Sequence, residues 1–174
     1  MIEILLETPK DSKDIELLLD LTSGRGRGNL PSYKFRSPDH RIKRFCRVLK
    51  ESSSGIIGSS RYWPIHIVSN TDKDMYRPAL LLGPLAIHPA YQGEGLGRLL
   101  ITTTLSQVLE SQWDKVLLVG DLAYYQRFGF TNTVTRGITF PCLQNPERFL
   151  GLEYVPRNLA NICGTLHATT VHYE

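Results

Sequence analysis

The spacing of hydrophobic positions along the chain switches between strand-like and helix-like periods, which predicts a mixed α/β structure. Residues 77–88 are almost wholly apolar, the pattern of a strand covered on both faces of a sheet. Apolar residues recur near the 3.6 period over about 95–111, and a shorter amphipathic helix is predicted after Asp11, a suitable N-cap. Further strands are predicted at 2–6, 45–50, 56–68, 116–119, from 130 onward and at 149–155, and a brief helix at 123–128.

The chain of 174 residues has the length and composition of one globular domain. No repeat or linker divides it, so we expect a single domain over 1–174, with a core at about 1–155 and a C-terminal tail at 156–174. No apolar run reaches the roughly 18 residues of a membrane helix, and residues 1–7 lack the features of a signal peptide. A cytoplasmic protein without a membrane partner is therefore expected.

Basic residues are concentrated in one part of the chain. Nine of the 20 Lys and Arg residues lie between positions 25 and 50, where Asp39 is the only acid. Such a run is either a solvated face or a positive field that attracts an acidic ligand or partner. The sequence leaves both interpretations open.

The three cysteines, Cys46, Cys142 and Cys163, are far apart and form no CxxC pair or His/Cys cluster. Neither a disulfide framework nor a metal site is therefore expected. Unpaired cysteines usually pack as small hydrophobic residues, so we expect three buried free thiols.

The segment 85–98 joins the buried strand to the next helix through a turn with glycines at 93, 95 and 97. A helix N-terminus has unpaired N–H groups and a partial positive charge, and glycines let the backbone approach phosphate oxygens closely. The dinucleotide and P-loop fingerprints are both absent. The pattern alone indicates either a phosphate-binding turn or a purely structural one.

Two motifs in this order resemble the signatures of the GNAT superfamily, the acetyl-CoA-dependent N-acetyltransferases. The QxxGxG sequence at 92–97 is similar to the family's pyrophosphate loop, and 123–130 resembles its second signature, a Tyr four residues before Gly-Phe. The likeness reaches to about 155 and, at 82–89 and 118–121, matches a bacterial subgroup of predicted acetyltransferases. It implies an α/β fold with a mixed, mostly antiparallel central sheet, flanked by helices on both faces and splayed at the central strands.

The resemblance also implies a reaction and its residues. Acetyl-CoA would be the co-substrate, without a metal, and an acetyl or short acyl group would pass to a primary amine by direct attack on the thioester. Tyr125 matches the general acid that protonates the CoA sulfur, with packing beside Phe128 and Phe130 as the alternative. Backbone groups of the strand would hold the pantetheine arm and the acyl carbonyl. The turn would hold the pyrophosphate. The cofactor-binding residues are then Leu85, Ala86, Ile87, Gln92, Gly93, Glu94, Gly95, Leu96, Gly97 and Arg98.

Three polar residues have two interpretations each. Arg98 either adds charge near a phosphate or faces solvent, and Asp121 either caps the short helix or touches the cofactor. Arg61 either lines the acceptor side, together with Tyr33 and Arg36, or pairs with a carboxylate across the sheet.

The general base is not evident, because the strand at 77–88 has no carboxylate where several family members carry a Glu. His88 and His66 are the imidazoles nearby. A water relay, or an amine that arrives already neutral, is preferred to either of them.

The acceptor is not predictable from these residues, so small-molecule and peptide amines are both retained. A catalytically idle acyl-CoA-binding or regulatory module is the first alternative to the enzyme. A basic RNA- or protein-binding module centred on 25–50 is the second, but few aromatic residues lie there and nucleic acid is not expected as a partner. A homodimer is left open.

Overall fold

The structure is a computed structural model that describes residues 1–174. Its framework is an eight-stranded sheet. Short 3-10 turns fill most of the stretch between 25 and 45. In chain order the strands and helices are β1 (Ile2–Leu6), α1 (Ser12–Ser23), β2 (Arg47–Glu51), β3 (Gly55–Ser69), β4 (Tyr76–Ile87), α2 (Leu96–Leu109), β5 (Lys115–Val119), α3 (Leu122–Tyr125), β6 (Ile138–Thr139), β7 (Phe149–Glu153) and β8 (Gly164–Ala168).

Most neighbouring strands of the sheet are antiparallel. Six strands lie in the order β1-β2-β3-β4-β5-β7, and only the β4–β5 pair among them is parallel. β8 runs antiparallel to the last part of β3, beyond the residues that pair with β2, and β6 is parallel to β8. The predicted mixed, mostly antiparallel sheet is therefore confirmed.

Helices cover both faces of the sheet. α1 packs Ile15 and Leu19 against Val48 of β2, whereas the adjacent Leu49 packs against Leu100 of α2. Successive residues of a strand point to opposite faces, so the two helices lie on opposite sides, as predicted. The longest helix, α2, has 14 residues, and no helix combines the length and apolar content needed to cross a bilayer.

Two large apolar clusters fill the two sides of the sheet. On the α2 side, Leu80 and Leu82 of β4 pack with Tyr62, whose hydroxyl oxygen lies 2.7 Å from Oγ1 of Thr104. Leu81, between the two leucines, packs on the other side. This alternation explains why β4 is apolar at nearly every position, since both of its faces are buried.

The central strands β4 and β5 separate soon after they meet. They pair at only two positions, residues 80 and 81 of β4. On its other edge, β4 holds one extra residue opposite positions 60–62 of β3, a bulge that bends the strand. The predicted splay is therefore confirmed, and it opens a wedge between residues 82–85 and the end of β5.

Two stretches differ from the sequence prediction. Residues 164–168, within the segment treated as a tail, form β8 and join the sheet beside β3, with Leu166 buried. Phe130 is buried too, but no strand begins there, and Thr131 forms only an isolated bridge with Gly151. The last part of the chain therefore contributes to the core, and the stretch after 130 is irregular.

The three cysteines do not share one environment. Cys46 is buried, whereas Cys142 and Cys163 are exposed. The expectation of three buried thiols is therefore wrong for two of them, because both lie in loops at the surface and outside the strands.

Candidate active site

The wedge between β4 and β5 contains a cavity of about 920 Å³. Its walls are residues 82–85 of β4, residues 119–121 at the end of β5, and both tyrosines of α3. Residues from the segments 29–36 and 142–148 form its two rims. Five separate parts of the chain therefore meet around one opening in the sheet.

The edge of β4 beyond residue 81 faces this wedge without a strand partner. Leu85 lines the cavity, whereas the side chain of Ala86 is buried on the other face, against α1. The carbonyl of Ile87 accepts a hydrogen bond from Nε2 of Gln92 at 3.0 Å, which ties the end of the strand to the following turn. The predicted pantetheine-binding stretch is thus an open strand edge that ends at the glycine turn.

The glycine turn requires two of its glycines for backbone reasons. Gly93 has φ 84° and Gly95 has φ 79°, a region that side chains disfavour. The first intrahelical hydrogen bond of α2 runs from the Leu99 N–H to the Gly95 carbonyl, so the N–H groups of 96–98 have no backbone acceptor. The sequence therefore builds an exposed helix N-terminus suited to an anion.

The side chains around the turn leave it open. Gly97 faces α3, where a Cβ would lie only 2.9 Å from the hydroxyl oxygen of Tyr124. Leu96 is half-buried against the apolar cluster beneath the helix. Glu94 and Arg98 are both exposed and form no ion pair, so neither side chain blocks the approach to the turn.

Tyr125 combines packing with a position on the cavity wall. Its ring makes edge contacts with Tyr124 at 5.0 Å and Phe130 at 5.9 Å between centroids. It lies so close to Gly120 that a Cβ there would come within 2.5 Å of its Cε2. Burial raises the pKa of Tyr125 to about 12; Tyr124 adds to the rise and Arg148 opposes it. The phenol is therefore protonated at neutral pH.

Local signals set the position of α3. The carboxylate of Asp121 accepts a hydrogen bond from the Ala123 N–H at 3.1 Å, the N-cap arrangement considered for this residue. Gly129, with φ 94°, ends the 3-10 turn that follows the helix. Asp121 also lines the cavity, so the two interpretations of this residue are compatible.

Only two of the three residues considered for the acceptor side lie at the cavity. Tyr33 and Arg36 line the cavity. Arg61 does not, because its buried guanidinium pairs with Glu7 at 2.9 Å and Glu16 at 3.0 Å. The structure therefore supports the carboxylate-pairing interpretation for Arg61.

Neither candidate imidazole lies on the cavity wall. His66 stacks on Tyr76 with centroids 4.2 Å apart, and its Nε2 lies 2.7 Å from the hydroxyl oxygen of Tyr173. Burial lowers the pKa of His66. His88 accepts a hydrogen bond from the Ala90 N–H through Nδ1 at 3.2 Å. Both imidazole rings therefore make their contacts away from the cavity.

Several residues of the cavity are not predictable from the sequence. Arg148 lines it from the turn before β7, where its Nε donates to the Gly120 carbonyl at 3.4 Å. Lys34 and Cys142 meet at one rim, with Nζ and Sγ 3.6 Å apart. None of these residues lies in a motif, and only the folded chain brings them to the wedge.

Comparisons with known proteins identify the family and the fold of the chain. Residues 43–132 match the sequence profile of a family described as the acetyltransferase (GNAT) domain. An uncharacterized N-acetyltransferase of Escherichia coli K12, YhbS, is 41% identical over 49 residues. That stretch is 28% of this chain and 29% of YhbS, so the chain aligns with less than a third of its curated relative.

Two solved structures share the fold of this chain over nearly its whole length. The crystal structure of E. coli YhbS in complex with CoA has a TM-score of 0.76 and 21% identity, covering 97% of this chain and 89% of YhbS. A GNAT family acetyltransferase from Brucella melitensis in complex with acetyl-CoA has a TM-score of 0.71 and 22% identity, covering 98% and 97%. The fold that the two motifs imply is therefore confirmed.

Proposed function

Because the chain belongs to the GNAT acetyltransferase family, we propose that it transfers an acetyl group from acetyl-CoA to a primary amine. The observation that carries the proposal is the continuity of the site, in which an anion-binding turn leads along an open strand edge into a cavity lined by Tyr125. The solved relatives with CoA and acetyl-CoA support this choice of co-substrate. The acceptor would be a small-molecule or peptide amine.

In this proposal the turn binds the pyrophosphate of acetyl-CoA. The N–H groups of 96–98 point their partial positive charge at it, and Gly93 and Gly95 keep the backbone accessible. The exposed side chain of Glu94 can stay in water. The pantetheine arm then follows the free edge of β4 toward Leu85, which lines the cavity. A backbone N–H of this edge would polarise the thioester carbonyl, as an oxyanion-hole donor does.

The chemical step forms a C–N bond and breaks a C–S bond. The neutral amine attacks the thioester carbonyl carbon, and the tetrahedral intermediate expels the CoA thiolate, which takes the proton of Tyr125. Since the pKa of Tyr125 is about 12, the phenol holds its proton until the thiolate develops. The ammonium nitrogen that the attack creates loses one proton to water, because neither imidazole considered as a base lines the cavity, and the phenolate of Tyr125 then regains a proton from solvent.

Calorimetric titration with acetyl-CoA, followed by release of free thiol with a panel of primary amines, tests the proposal. We expect saturable binding and thiol release that depends on the amine, with the acetylated amine found by mass spectrometry. Folded protein that does not bind acetyl-CoA would overturn the proposal at its first step. Binding without acetylation of any amine would instead identify an idle acyl-CoA-binding module.

A further inference from the structure

Arg36 lies in the cavity wall, and no neighbouring carboxylate of the protein neutralises its charge. Its guanidinium lies over the ring of Tyr33, with Cζ 4.4 Å from the centroid, and against Gly83 of β4. A Cβ at position 83 would come within 2.7 Å of Nη2, so a side chain there would displace the guanidinium. Nε of Arg36 is buried without a hydrogen-bond partner, and the side chain takes part in no ion pair.

Three other arginines of the N-terminal half, Arg27, Arg41 and Arg61, pair with carboxylates. Arg61 pairs with Glu7 and Glu16, and Arg41 also pairs with Glu7 at 3.4 Å. Burial removes hydration from a guanidinium, and the contact of Arg36 with the Tyr33 ring does not supply the countercharge that an anion would. Burial lowers the pKa of Arg36 to about 10, and the group is still charged at neutral pH. Arg36 is thus a partly buried cation that no carboxylate of the protein pairs with.

The cavity around Arg36 is positively charged overall. Lys34, Arg36 and Arg148 line it, against the single carboxylate of Asp121, which already caps α3. A small anion entering the wedge would therefore meet a favourable field. A planar guanidinium is also the side chain best suited to hold a carboxylate or phosphate through two parallel hydrogen bonds.

The pyrophosphate of acetyl-CoA cannot be the partner of Arg36 in this arrangement. Gly83, which the guanidinium contacts, is four residues before Ile87, where the glycine turn is attached. Four residues of a strand span about 13 Å. The two anion sites therefore lie at opposite ends of the free strand edge, and Arg36 is on the side of the reacting groups.

We infer that the acceptor amine carries a carboxylate or phosphate group, which Arg36 binds in the wall of the cavity. This inference rests on the proposed acetyl transfer. The anion would lie beside Gly83 and the amine near Leu85 and Tyr125, about two residues, or roughly 7 Å, along the strand. A compact ω-amino acid or aminoalkyl phosphate has these dimensions.

Matched pairs of amines test the inference on the unmodified protein. We compare 5-aminopentanoate with 5-aminopentanamide, and 3-aminopropyl phosphate with 3-aminopropanol, by kcat/KM for thiol release from acetyl-CoA. We expect the anionic member of a pair to be preferred by about tenfold to hundredfold, the contribution of a charged hydrogen-bonded pair. The pair with the larger preference identifies carboxylate or phosphate as the recognised group.

The variant Arg36→Gln should abolish this preference by raising KM for the anionic amine, with a small effect on kcat. Arg25→Gln is the control, because Arg25 is exposed, lies outside the cavity and forms no ion pair. Equal kcat/KM within both pairs, or a preference that survives in Arg36→Gln, would refute the inference while acetyl transfer itself stands.

A binding measurement keeps the inference testable without turnover. In protein labelled with 15N-arginine, the Nε–H signal of Arg36 is assigned by its absence from Arg36→Gln. Titration with sodium propionate or sodium phosphate should shift this signal saturably and leave that of Arg25 unchanged. No shift with either anion would refute the inference. Failure to bind acetyl-CoA in the same sample would refute the proposed function separately.

Discussion

At the scale of single residues, Tyr125 packs against its neighbours and also lies where the proposed chemistry needs an acid. Its ring is held between Phe130 and the backbone at Gly120, which fixes its direction. The same burial raises the pKa to about 12, so the phenol keeps its proton at neutral pH, the form in which it can donate to a thiolate. The packing interpretation and the catalytic one are therefore compatible. The rate of a variant without the hydroxyl tests the catalytic one.

Replacing Tyr125 by Phe should lower kcat for acetyl transfer by about 100-fold, the usual contribution of a general acid, with little change in the acetyl-CoA dissociation constant. The matched control is Tyr124→Phe, which removes a hydroxyl near Gly97 and leaves the proposed acid in place. Because the pKa of Tyr125 is about 12, its ionisation should cause no loss of wild-type rate between pH 7 and 10. Equal losses in the two variants, measured by steady-state kinetics, would contradict the assignment.

Sequence alone finds residues whose role is local and misses those whose role depends on distant partners. Tyr125 and the loop glycines lie in contiguous motifs, so they could be predicted. Arg36 and Arg61 are both candidates for the acceptor side, because the sequence does not show which of them a carboxylate reaches. What distinguishes them is tertiary: Glu7 and Glu16 reach Arg61, and no carboxylate reaches Arg36.

At the scale of elements, the turn before α2 is the part of the candidate site whose conformation depends most directly on its own sequence. Gly95 is the N-cap of the helix in a left-handed conformation, and its carbonyl accepts the first hydrogen bond of the helix. Its φ of 79° therefore directs the three free N–H groups that follow. A residue with a Cβ adopts this conformation at a cost of about 1–2 kcal/mol.

The substitution Gly95→Ala should weaken acetyl-CoA binding by about tenfold, because the backbone relaxes away from the conformation that aims the N–H groups of 96–98. Gly55→Ala is the matched control: Gly55 has φ 76° in the β2–β3 turn, and a Cβ added at either glycine would meet no atom within 4 Å. Both variants should lose similar thermal stability, and only Gly95→Ala should lose affinity by calorimetry. Equal affinities would show that the turn does not hold the co-substrate.

The elements that could be predicted are those with strong, continuous patterns. β4 is apolar on both faces, and its pattern predicts nearly its full length. β8 is not predictable in this way, because its sequence, GTLHA, is short and its pairing partner, 65–69 of β3, is about a hundred positions away. The splay of β4 and β5 has no pattern of its own, since it depends on where pairing stops and on a bulge opposite β3.

At the scale of the whole molecule, the basic segment between 25 and 50 is not one surface. Arg27 and Arg41 pair with carboxylates of the N-terminal part, and Lys50 pairs with Asp11 at 2.6 Å. Arg44 stays exposed. Lys34 and Arg36 reach the cavity. The clustering in sequence thus resolves into structural ion pairs, solvated charges and a small positive group at the site.

Binding in the wedge should stabilise the whole fold, because the co-substrate would connect α2, β4 and α3 in the native state only. A ligand at 100 times its dissociation constant contributes about 2.7 kcal/mol. For a chain of this size that corresponds to a rise in Tm of roughly 5–10 °C. Differential scanning fluorimetry with acetyl-CoA measures it.

The diphosphate should account for much of this stabilisation if the turn holds it. CoA should therefore raise Tm nearly as much as acetyl-CoA, whereas pantetheine, which has the arm but no diphosphate, should give a much smaller rise at the same concentration. The Gly95→Ala variant should show a reduced shift with CoA and an unaltered response to pantetheine, while Gly55→Ala should respond as the wild type does. An equal shift with pantetheine and CoA would mean that the strand edge alone binds the co-substrate, and the role assigned to residues 92–98 would be wrong.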